Sequence, residues 1–158
     1  MDNFVDQKTI EHIVGLIDSA IKVHTDHADE IPYMEEMYGK ERFQESCQKV
    51  VIQLPRRYGH TVSALEIIKN RPSALMVGVN AQVREHHSRY PDLAENILNL
   101  DTALKRNGVH PLVVLGKLAK IDCIILDSIP IAPHHVRELH DIYSPKIMVF
   151  LGDTRIVG

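Results

Sequence analysis

The chain predicts an α/β fold with a small, mostly parallel four-stranded sheet at about residues 73–151, flanked by helices. Three observations carry this reading. Short Ile/Val/Leu runs recur between residues 74 and 151, helical stripes of apolar residues separate several of them, and Gly or Pro stands at most boundaries. Apolar runs without alternation suit strands buried on both faces, as in parallel sheets. Apolar content of 44% and charged content of 25% are ordinary for a globular chain. With no Trp, three Phe and five Tyr, the core must be built from Leu, Ile and Val. Residues 1–71 read as a helical N-terminal segment and 72–158 as the sheet domain, the two expected to pack as one unit.

Residues 8–24 predict the first helix, because Ile10, Ile13, Val14, Ile17 and Ile21 fall on one stripe. A polar stretch follows, ending at Pro32. A second helix is predicted from Tyr33 to about Val51, with a break at Gly39. Pro55 ends it, and Arg56-Arg57-Tyr58-Gly59-His60 reads as a surface turn. A short helix over Thr61–Lys69 stops at Arg71-Pro72. Residues 74–79 are the first predicted strand, followed by a polar loop. A helix is then predicted from Pro91 to about Arg106, on the stripe Leu93, Ile97, Leu100 and Leu104, with Gly108 as its stop. Residues 112–115 and 121–126 are the second and third strands. The KLAK link between them is short enough that an antiparallel pair is an alternative to a compressed crossover. A helix over 133–143 and a last strand over 147–151 complete the pattern.

Net charge is −3, and no basic face stands out. Nucleic-acid binding through the phosphate backbone is therefore not favoured. The start, MDNFVDQK, has no basic and apolar pattern of a secretory signal, and no apolar run approaches the ~20 residues that span a bilayer. A cytoplasmic protein with no membrane contact is expected. Cys47 and Cys123 form no CxxC pair and read as buried thiols.

In open parallel sheets, ligands bind outside the carboxyl ends of the strands. Applied here, that rule selects Asp127, His134, His135 and Asp153 as candidate catalytic residues. It selects Asn80, His86, His87, Lys117, Ser128 and Thr154 as candidate ligand-binding residues. Imidazole titrates near neutrality, and a carboxylate beside it fixes its tautomer, so such a rim suits proton transfer or metal binding. No HExxH, Walker A, GxGxxG or GxSxG spacing is present. The metal and any cofactor therefore stay unassigned. His24 and His27, three apart beside Asp26, Asp29 and Glu30, read chiefly as a solvated helix end.

Two short stretches resemble known families. Asp122-Cys123-Ile124-Ile125-Leu126-Asp127 is similar to the phosphoacceptor strand of response-regulator receivers, although Asn80 stands where the receiver's acidic pair is expected. Residues 145–154, PKIMVFLGDT, are similar to a late strand of uracil-DNA-glycosylase-like folds, although the glycosylase motif after the first strand is absent. Neither stretch assigns a family.

Three functions follow as expectations. The leading one is a small-ligand-binding or regulatory domain, expected to be a homo-oligomer, that takes a small polar or anionic ligand at the strand ends. The alternative is a hydrolase or lyase with an Asp/His site on the same rim. The third, a nucleic-acid-processing or replication accessory role, rests on the glycosylase-like stretch and Arg56-Arg57.

Overall fold

The computed structural model describes residues 7–53, 59–105, 113–114, 117–118 and 121–157, the two short segments by their backbone. The first helix, α1 (Gln7–Asp26), buries Ile10, Ile13, Ile17 and Ile21 along its stripe. A 3₁₀ turn (Ala28–Glu30) leads to α2 (Ile31–Tyr38) and α3 (Lys40–Cys47). These two are separated at Gly39, whose φ of 84° is a left-handed conformation that glycine adopts without a Cβ penalty.

The chain then enters β1 (Lys49–Ile52), where the sequence predicts helix. Next come α4 (His60–Asn70), β2 (Ala74–Gly78) and α5 (Asn80–Arg89), the last occupying the predicted polar loop. The predicted helix over residues 91–106 is three pieces: a 3₁₀ helix (Pro91–Asn96), β3 (Ile97–Asn99) and α6 (Leu100–Lys105). Strands β4 (Val113–Val114) and β5 (Lys117–Leu118) pair antiparallel with each other, apart from the main sheet. After β6 (Cys123–Asp127) come β7 (Pro130–Ile131), α7 (Pro133–Tyr143), β8 (Ile147–Leu151) and β9 (Arg155–Ile156). A small parallel pairing joins β7 to β9.

The main sheet has five strands in the order β1-β8-β6-β2-β3, and every pairing is parallel. The α/β prediction holds, with the strand number corrected from four to five. Of the run predicted at 112–115, the described Val113 and Val114 pair with β5 and not with this sheet, whereas β1 and β3 enter it. Both newcomers are edge strands, and that is why their sequences do not read as strands. The three central strands are continuously buried, whereas β1 keeps Val51 exposed and β3 is only three residues long.

Alternation along the strands builds two cores. Ala74, Met76, Cys123, Ile125, Ile147 and Val149 face one side and pack against α1, α4 and Val83 of α5. Leu75, Val77, Ile124, Leu126, Met148 and Phe150 face the other, against Ala103 of α6 and Leu139 and Tyr143 of α7. Each half of this sandwich removes several large aliphatic side chains from water, at roughly 1.5–3 kcal/mol apiece before the entropy cost. Among the described residues no helix is long and apolar enough to cross a membrane.

Candidate functional site

The helices after β2 and β6 leave on opposite faces, α5 on the α1/α4 side and α7 on the other. The chain order therefore reverses between these neighbouring strands, and a crevice opens at their carboxyl ends. Helices that join parallel strands run back against them, so the start of α4 also lies at this rim. Its first residues are His60 and Thr61, preceded by Gly59 in a left-handed conformation (φ 88°).

Asp127 is the last residue of β6. By alternation it shares the face of Cys123 and Ile125, under α4 and α5, and it is 0% exposed. Thr61 Oγ1 donates to its Oδ2 at 2.8 Å, and Ser128 Oγ approaches Oδ1 at 3.5 Å. Burial pushes the Asp127 carboxyl above the usual carboxylate range. The Thr61 hydroxyl, the nearby His60 and His86, and the Ser128 hydroxyl oppose that rise without cancelling it. His86, on α5, is shifted the other way. Burial holds its imidazole below the usual histidine range, against the pull of Asp127. His60 and His86 are 9% and 7% exposed, and the Nε2 atom of each is buried without a hydrogen-bond partner among the described residues.

The backbone around this cluster is tightly specified. Ser128 has φ 52°, uncommon for a residue with a side chain. Gly152 has φ 68°, and a Cβ there would lie 2.5 Å from Ser128 Oγ and 3.5 Å from the His60 ring. Glycine at 152 thus lets the Ser128 hydroxyl and the His60 imidazole sit side by side.

The other predicted residues take varied positions. His134 and His135 open α7 with ring centroids 4.1 Å apart, and they are not among the groups that act on the Asp127 carboxyl. Asp153 is exposed, and its backbone N–H donates to Ser128 Oγ at 3.2 Å. Thr154 is buried as a structural clamp. Its hydroxyl lies 2.6 Å from Leu126 O and 2.8 Å from Leu151 O, and accepts from Ile129 N at 3.2 Å. His87 anchors α5 to β3 through Nε2 and the Ile97 carbonyl. Asn80 is exposed and, with Val79, Asn99, Asp101, Ile129 and Pro130, lines a cavity of about 270 Å³ beyond the ends of β2 and β3. The side chain of Lys117 and the residues Arg56-Arg57 lie outside the described residues. His24 donates from Nε2 to Cys47 O at 2.7 Å, and His27 pairs with Glu30 at 3.6 Å. Among the described residues no three His, Cys, Asp or Glu side chains are arranged to hold a metal ion.

Sequence reasoning thus named Asp127, Ser128 and His86 but not His60 or Thr61, which read as a surface turn and a plain helix start. The signal was available, since a helix leading into a parallel strand begins at the carboxyl rim of the sheet. The cluster offers a buried acid, two imidazoles whose buried Nε2 atoms have no partner among the described residues, and two hydroxyls. The chain matches no protein-family model, no curated protein and no solved structure, so the chemistry of this site rests on its own residues.

Proposed function

We propose that the chain binds a small polar ligand at the carboxyl ends of β2, β3 and β6, with Asp127, His60 and His86 as the recognising groups. The observation that carries this reading is the pair of buried Nε2 atoms without partners on either side of a buried carboxyl. An unsatisfied buried polar atom costs about 1–3 kcal/mol. Two such atoms gathered near one buried carboxyl repay that cost when a ligand supplies the missing partners. Asn80 and Asp101 add polar groups at the neighbouring cavity. The test is a thermal-shift screen of small polar compounds, with hits measured by calorimetry. A true ligand raises the midpoint by mass action, and Asp127→Asn and His86→Phe each weaken it at least tenfold. A hit that binds both variants as tightly as the wild type removes this reading.

A second reading draws on the opposed shifts of Asp127 and His86. Raising a carboxyl and lowering an imidazole brings their proton affinities together, which suits general acid–base chemistry of a hydrolase or lyase type. Here Asp127→Asn lowers kcat by about 10²–10⁴-fold with a smaller change in KM. Unchanged turnover in that variant would exclude it.

A further inference from the structure

On the opposite face of the sheet a larger cavity, of about 730 Å³, lies between α3 and α7. Its size is that of small-molecule sites in general, about 300–1,000 Å³. The floor is apolar: Met148 and Phe150 of β8, with Pro133 and Val136 of α7. The rim is charged and unbalanced. Lys40, Arg42, Lys49 and Arg137 line it against only Glu41 and Glu45, in a chain whose net charge is −3.

Lys49 ties floor to rim. Its Nζ stands 4.9 Å from the centre of the Phe150 ring and 2.9 Å from Glu45 Oε1. Two ion pairs cross from α3 to α7 in a reciprocal pattern, Lys40 to Asp141 at 3.3 Å and Glu41 to Arg137 at 3.6 Å. Both are solvent-exposed, and exposed pairs contribute only about 0–1 kcal/mol each. A ligand anion can therefore take the place of Glu41 on Arg137 at little cost. At the wall sits His140, only 5% exposed, its backbone carbonyl accepting from Ser144 N–H at 2.9 Å and no hydrogen bond of its ring made to a described residue. Burial holds its imidazole down at about 4, so at neutral pH it offers one N–H and one lone pair without adding charge.

We infer that this cavity binds a small anion carrying a flat apolar body, such as an aryl phosphate or an aromatic carboxylate, with the ring against Pro133, Val136 and Phe150 and the anion at Arg137. Charge complementarity selects the anion, since the rim's four cations outnumber the three carboxylates paired with them, Glu41, Glu45 and Asp141. The Phe150 ring, with the half-buried Pro133 and Val136, selects a flat apolar body.

Phenyl phosphate is the probe, compared with phenol and benzylamine by titration of backbone amide NMR shifts. Phenyl phosphate is expected to saturate shifts at Val136, Arg137 and Phe150, and to bind at least tenfold more tightly than phenol or benzylamine. Arg137→Gln weakens it about tenfold, and Val136→Trp, which fills the cavity, abolishes it. Asp127→Asn, on the other face, leaves it unchanged. Circular dichroism checks the fold of each variant. If Val136→Trp does not fold, Arg137→Gln and the location of the shifts decide. Equal binding of phenol, shifts confined to other residues, or undiminished affinity in Arg137→Gln overturns the proposal, as does no binding at all.

Discussion

Two aspartates, Asp122 and Asp127, lie at opposite ends of the same central strand and meet opposite treatment. Asp122 just precedes β6 and keeps a permanent cation. Arg71 reaches its Oδ2 at 3.3 Å and Asp18 of α1 at 3.4 Å, so one guanidinium joins α1, the end of α4 and the start of β6. Asp127 closes the strand with a threonine hydroxyl and two imidazoles, and no permanent charge among the described residues acts on it. The first arrangement is a structural rivet. The second leaves a carboxyl whose charged form the fold opposes. Sites of chemistry are where a protein tolerates such a group, so the carboxyl ends of the strands are the end to probe.

The largest effect is expected at the rivet. Arg71→Ala leaves two carboxylates facing each other without their cation and should cost about 2–3 kcal/mol, discounted from the fully buried case because Arg71 is partly exposed. Urea denaturation measures it. Little or no loss would mean that the two ends of the strand do not differ in kind. Gly152→Ala comes next, at about 1–2 kcal/mol, because a side chain enters a left-handed residue and presses on Ser128 and His60. The same variant should weaken any rim ligand more than it lowers the thermal midpoint would suggest.

Asp127→Asn should have the opposite sign, stabilising by about 1 kcal/mol at pH 7. The sign follows from linkage. A carboxyl raised in the folded state takes up its proton more readily there than in the unfolded chain. Its contribution to stability is full below the ordinary value of 3.8 and falls as pH rises from there to the raised folded value. The gain in Asp127→Asn should therefore vanish at pH 3. His86 and His140 act in the reverse sense. Both are lowered, so stability is lost as pH falls below 6.5, for His140 down to about 4. Stability curves of His140→Phe should be flatter than wild type between pH 4 and 6.5. The smallest effect is expected for Ser128→Gly, within about 1 kcal/mol. Relief of the positive φ offsets loss of the hydroxyl that receives Asp153 N–H.

Legibility followed burial. The three central strands read directly from the sequence because ALMVG, CIILD and IMVFL face no water and so carry no polar residue to break the run, except Asp127 itself. The edges did not. KVVI follows α3 without a breaker, and ILN sits on a stripe whose spacing is equally that of a helix. Asp127 stood out as the charged end of an apolar run. His60 did not, because it lies against Gly152, which meets it only through the tertiary fold.

The pairing of β1 with β8 has a consequence for synthesis. Among the described residues, 49–52 find their one main-sheet neighbour in residues 148–151. As the chain emerges from the ribosome, that edge stays unzipped until the last of these residues clears the exit tunnel, and the slowest step of folding should be the one that brings them together.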